Sequence, residues 1–69
     1  MAEIEVTVNG DLRRIPAGLT VRGLLSHLEL HPGMIVVEHN RRILRKEVYD
    51  DVDVQLGDEL ELVQFVGGG

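Results

Sequence analysis

The stretch "EIEVTVNGDL", residues 3–12, decides the fold by its rhythm and by how it ends. Ile4, Val6 and Val8 fall on one side of an extended chain, and Glu3, Glu5 and Thr7 fall on the other. Period two with a single apolar side describes a strand buried on one face. Asn9-Gly10 follows at once. Both central positions of a type I′ turn need positive φ, and this pair accepts it, so the chain is predicted to double back. Leu12 to Ile15 then reads as the returning strand. Pro16 ends it, because proline has no N–H to give to a ladder.

Beyond the hairpin the period changes. Val21, Leu24, Leu25 and Leu28 stand at i, i+3, i+4 and i+7, which places them on one face of a helix. Thr20 is the expected N-cap, and Pro32-Gly33 is expected to stop the helix. Gly23 lies inside it, at a cost of about 1 kcal/mol relative to alanine, and is expected where the helix packs closely on a sheet. "MIVVEHN" (34–40) gives a third strand with Ile35 and Val37 inward. "NRR" reads as a turn and "IL" as a short strand. "RKEVYDDVDVQL" (45–56) is polar and irregular, anchored by Val48, Val52 and Val54. Gly57-Asp58 makes a turn, and "ELELVQFV" (59–66) is the last strand. Strands before and after one helix, each with one apolar side, pack most economically as an α+β layer pair: a mixed sheet of about four or five strands on one main helix. The domain is expected to occupy residues 1–66, with 67–69 a flexible glycine tail.

Sixty-nine residues without cysteine restrict the chemistry. A chain of this size buries only about 60 % of the surface it exposes unfolded, and neither a disulfide nor a thiolate metal site can reinforce it. The longest apolar run, Met34 to Val37, is far too short to span a membrane. The acidic, alternating start "MAEIEV" does not resemble a signal peptide, so a cytoplasmic location is expected. The net charge is −5, with one Phe and one Tyr. Nucleic-acid binding relies on a basic field and stacking rings, and both are lacking. A basic protein surface is the more natural partner.

Other constellations carry little. His27 and His31 share a helical face at a metal-compatible spacing, with His39 as a remote third ligand. A histidine near a helix C-terminus also interacts favourably with the dipole, which is the plainer reading. Arg41, Arg42, Arg45 and Lys46 form a basic cluster that reads first as solvated turn charge and second as a steering patch. Asp50, Asp51 and Asp53 lack the spacing and the glutamate of an EF-hand. The single serine, Ser26, has no base and orienter beside it, and no glycine-rich loop links a strand to a helix to hold phosphate. The chain is not expected to be an enzyme or to bind a metal or cofactor.

The end of the last strand is more informative. If Leu60 and Leu62 face the helix, Gln64 does too, and Val63 and Phe65 face the opposite side. They then form an exposed apolar patch of the kind that marks a binding surface, together with Val66. The other reading is a bulge that flips the register and buries Phe65. "GGG" follows at residues 67–69. One reading is a frayed end or residues left by cloning. The other begins with the terminal carboxylate. Its pKa of about 3.3–3.7 makes it an anion and a poor electrophile at neutral pH, so it serves as an acyl donor only after activation, most simply as an acyl-adenylate from ATP. Glycines have no Cβ to narrow an enclosing site. Three extended residues reach about 10 Å, enough to thread a channel while the body stays outside.

The hairpin "VNG", the helix opened by "LTV", the segment "VVEHNRRILRKE", the turn "LGDELELV" and the terminal Gly-Gly together resemble the thiamine-biosynthesis sulfur carrier family (ThiS) along essentially the whole chain. The resemblance implies the ubiquitin-like β-grasp fold, with the final strand central and parallel to the first. It also implies that a ThiF-like partner uses ATP to adenylate the terminal carboxylate. Sulfur from a cysteine desulfurase route then converts it to a thiocarboxylate, and a thiazole synthase (ThiG-like) takes the sulfur into the thiazole of thiamine. By position the modified residue is Gly69, with Gly67 and Gly68 in the tail. Family members commonly end in two glycines, so Gly68 takes the role if Gly69 is not native. Leu44 stands where a proline often precedes the arginine of the middle segment. Two alternatives stay open: the small subunit of molybdopterin synthase, and a ubiquitin-like interaction domain with an inert tail.

Overall fold

The hairpin forms where Asn9-Gly10 demands it. In the structure, a computed structural model that describes residues 2–65, β1 (Glu3–Val8) pairs antiparallel with β2 (Asp11–Pro16). Asn9 has φ +51° and Gly10 +86°, the left-handed conformation a type I′ turn needs. The helix α1 (Val21–His27) follows, then β3 (Ile35–His39), β4 (Arg42–Leu44) and β5 (Glu59–Gln64). The strands form one sheet in the order β2-β1-β5-β3-β4. β5 is central, parallel to β1 and antiparallel to β3. This is the β-grasp expected from the sequence, with five strands. No helix among the described residues is long and apolar enough to cross a membrane.

The core lies between the sheet and α1. Val21, Leu24 and Leu25 bury one helical stripe against Val6, Val8, Ile15, Ile35, Val37, Leu60 and Leu62. Each strand contributes alternate residues, as period two requires. Thr20 caps the helix as expected, its Oγ1 accepting the Gly23 N–H at 3.1 Å.

Four expectations are corrected. The helix does not run to Pro32-Gly33. It ends at Leu28, because Glu29 adopts φ +61° and closes a Schellman cap. The Glu29 N–H donates to Ser26 O at 3.0 Å and the Leu30 N–H to Leu25 O at 2.8 Å, the pair of bonds that satisfies the last carbonyls. Pro32–Met34 instead forms a short 3-10 turn. Gly23 does not admit the sheet: a Cβ there would meet the Leu19 side chain at 3.3 Å. Arg42 belongs to β4, and the turn before it is Asn40-Arg41, with φ +50° and +71°. Finally, the irregular stretch is anchored above all by Tyr49. It is buried, and its hydroxyl donates to Ile35 O at 2.9 Å. Val54 is buried and Val52 packs against the core, whereas Val48 is half-buried and stands outside that packing.

Candidate functional site

The candidate site is the end of β5, where the described chain passes toward the glycines. β5 runs straight, without a bulge: Val36 pairs with Val63 and Ile35 with Gln64. Val63 and Phe65 therefore face away from the helix and are 62 % and 54 % exposed. The exposed-patch register is the one adopted. Val36 and Ile43 flank Val63 on that face, and Glu38 and Glu61 border them. The result is an apolar spot with an acidic edge on an acidic protein. Such a face suits an apolar partner surface with basic residues at its rim.

The root of the tail is fixed from the β3 side. The Phe65 N–H donates to Met34 O at 2.7 Å, one rung beyond the ladder. The Lys46 ammonium stands 5.9 Å from the centre of the Phe65 ring and also donates to Gly33 O. This cation–π contact and the hydrogen bond tie the Pro32–Met34 turn, Lys46 and Phe65 together. Lys46 thereby separates from the rest of the basic cluster. Arg41 and Arg45 make exposed pairs with Glu59 and Glu47, which contribute little.

At the opposite end of β5 is a polar clasp that the sequence did not disclose. Asp58 is the buried charged residue of the described chain. Its carboxylate accepts from Gln55 N–H at 2.8 Å and from Asn40 Nδ2 at 3.1 Å, and lies 2.7 Å from His39 Nε2. Burial pushes this carboxyl up, but the hydrogen bonds from Gln55, His39 and Asn40 and the charge of His39 outweigh it. They hold it below the usual carboxylate range. Asn40 Oδ1 also accepts the Glu59 N–H at 2.9 Å. The clasp joins the β3–β4 turn to the start of β5 and so anchors the central strand at the end remote from the tail.

The remaining candidates disperse. His31 Nδ1 accepts the Gly33 N–H at 3.0 Å, capping the 3-10 turn. Among the described residues no group of three or more His, Asp or Glu side chains is arranged to hold a metal ion. Asp50 pairs with Arg22 at the surface. Val66, Gly67, Gly68 and Gly69, the other residues singled out from the sequence, lie outside the described residues.

The sequence profile of the ThiS family matches residues 6–69, nearly the whole chain. The chain belongs to the ThiS family. It is 40 % identical over 50 residues to the sulfur carrier protein ThiS of Bacillus subtilis, covering 72 % of this chain and 76 % of that one. The fold agrees. The crystal structure of the thiamine biosynthesis protein ThiS from Geobacter metallireducens superimposes with a TM-score of 0.82 at 35 % identity, covering 96 % of this chain and all of that one. A thiazole synthase of Paramagnetospirillum magneticum is 39 % identical over 66 residues. This ThiS-family chain spans only about a fifth of the length of that enzyme and of a second thiazole synthase, from Magnetococcus marinus.

Proposed function

We propose that this ThiS-family chain is a cytoplasmic sulfur carrier, a protein co-substrate and not itself an enzyme. Its body supplies recognition and its last residues supply chemistry. A ThiF-like partner adenylates the carboxylate of Gly69: a carboxylate oxygen attacks the α-phosphorus of ATP and pyrophosphate leaves. A persulfide sulfur from a cysteine desulfurase route attacks the carbonyl carbon and AMP leaves. A second thiol then attacks the donor's own sulfur in the acyl disulfide, forming a disulfide and releasing the thiocarboxylate, which passes its sulfur to a thiazole synthase. Adenylation is needed because the free carboxylate is an anion at neutral pH and resists attack. ATP is bound by the partner, not by this chain.

The observation that carries the reading is the placement of the tail root. β5 is the central strand, clasped at its start by Asp58 and Asn40 and hydrogen-bonded at Phe65 to Met34. A rigid body therefore holds Phe65, the last described residue, at a fixed point in the apolar patch that it forms with Val63, and residues 66–69 follow it in sequence. That is what a substrate arm needs, and an inert tail has no use for it. The resemblance of a segment of two thiazole synthases to this chain favours thiazole synthase as the acceptor over other thiocarboxylate pathways.

The test is to append one residue after Gly69. Activation by the partner should end while the thermal midpoint stays unchanged, since the added residue touches no core. An extended chain that is thiocarboxylated as well as the original would refute the reading.

A further inference from the structure

Asn9 does more than turn the hairpin. Along β5 the backbone groups alternate in direction. Glu59 and Phe65 turn theirs to the β3 side, where Asn40 N–H donates to Glu59 O at 2.8 Å and Phe65 N–H to Met34 O at 2.7 Å. Leu60, Leu62 and Gln64 turn theirs to the β1 side. Yet β1 aligns with β5 only at Thr7 and Val8, opposite Glu59 and Leu60, before it swings away into the hairpin. The Asn9 N–H still reaches Leu60 O, at 2.9 Å. Past that rung no strand remains to meet Leu62.

The Asn9 side chain takes the place of that strand. Its Oδ1 accepts the Leu62 N–H at 2.7 Å and its Nδ2 donates to Leu62 O at 3.2 Å. A primary amide has the same donor and acceptor as a peptide group, so one side chain mimics the missing rung. Both bonds span 53 positions in sequence. Leu62 lies three residues before Phe65, and among the described residues no other hydrogen bond to the β1 side is made farther along β5. Without Asn9, the last part of β5 is held by β3 alone, and a strand paired on one edge is free to twist.

We infer that Asn9 is a positioning residue for the tail: its amide fixes the last part of β5 from the β1 side and so sets the direction of the strand end at Phe65, ahead of residues 66–69. The inference rests on the carrier reading, because direction matters only if those residues must enter a partner's site. Asn9 touches no reacting atom, and its effect passes through Leu62. Misplacing a reacting group by about 1 Å can cost on the order of a hundredfold in rate.

Two substitutions separate the amide from the turn. Asn9→Gly keeps the positive φ and deletes both bonds. Asn9→Asp also tolerates that φ and keeps an acceptor for the Leu62 N–H, but loses the donor to Leu62 O. The experiment measures the kinetics of adenylation by the ThiF-like enzyme and the hydrogen exchange of the Leu62 amide. Asn9→Gly is expected to speed exchange at Leu62 while exchange at Val37 stays slow. It should lower kcat roughly tenfold or more with KM within about twofold, since the outer patch that docks the body is untouched. Asn9→Asp should fall between the two. An unchanged kcat, or unchanged exchange at Leu62, would overturn the inference. So would equal losses in exchange protection throughout the core, which would make Asn9 merely structural. A wild-type chain that is not adenylated at all would remove the carrier reading itself, and the inference with it.

Discussion

Replacing Phe65 by alanine separates a docking residue from a core residue, because the two roles predict different magnitudes. Fully burying a phenylalanine side chain is worth about 1.5–3 kcal/mol. Phe65 is 54 % exposed, so just under half of that, about 1 kcal/mol, is at stake in packing. Its contact with Lys46, 5.9 Å from ring centre to ammonium, adds about 0.5–1 kcal/mol at an exposed site. The expected loss of stability is therefore roughly 1–2 kcal/mol, against about 3–5 kcal/mol for a phenylalanine truncated in a core. Urea titration reads it as a shift of the midpoint by about 1–2 M, for a slope of about 1 kcal/mol per M. Affinity for the adenylating partner should fall further, by about 2 kcal/mol or more, roughly thirtyfold in Kd. Calorimetric titration of the two proteins measures it. Leu12→Ala is the control. Leu12 is 71 % exposed on the same sheet face, on β2 at the far side, and its loss should disturb neither quantity. A stability loss above about 3 kcal/mol would place Phe65 in the core, and unchanged affinity would remove the patch from the docking surface.

Three further outcomes follow from the geometry. Glu29→Gly should raise stability by about 0.5–1 kcal/mol, because the left-handed conformation that costs glutamate a steric penalty costs glycine none; thermal unfolding should show a higher midpoint. Tyr49→Phe should lower stability by about 1–2 kcal/mol, since it strips the partner from the Ile35 carbonyl in the core; a loss under about 0.3 kcal/mol would mean that carbonyl finds water. Asp58→Asn should destabilise by about 1–3 kcal/mol at neutral pH. The folded carboxyl titrates below the unfolded value, so its contribution is present above about pH 4 and fades as pH falls through the folded pKa; the gap between variant and wild type should narrow with acid in pH-dependent denaturation.

Elements whose cause is local were legible in the sequence. Asn9-Gly10 announced the hairpin, Thr20 announced the helix start, and the alternation of residues 59–65 offered, beside a bulged register, the one that puts Val63 and Phe65 on the open face. The helix end was misplaced because Leu30 belongs to the core as the apolar residue after the cap, which prolongs the apparent apolar stripe. The signal that stops the chain, a glutamate at positive φ, has no marker in its residue type. Tyr49 was hidden inside a polar run because its partner, Ile35 O, is a backbone atom fourteen positions away. The Asp58 clasp and the Asn9 bridge were hidden for the same reason. Each joins residues that only the sheet brings together, and each uses a residue already explained by a turn. Both are long-range uses of turn residues, and local reading credits such residues only once.

The central claim is tested most directly by the intact mass of the chain after co-expression with its adenylating partner and a sulfur source. The carrier account predicts a gain equal to one sulfur replacing one oxygen, confined to the C-terminal peptide and assigned by fragmentation to Gly69. An unchanged mass, under conditions where a known carrier is thiocarboxylated, would contradict it.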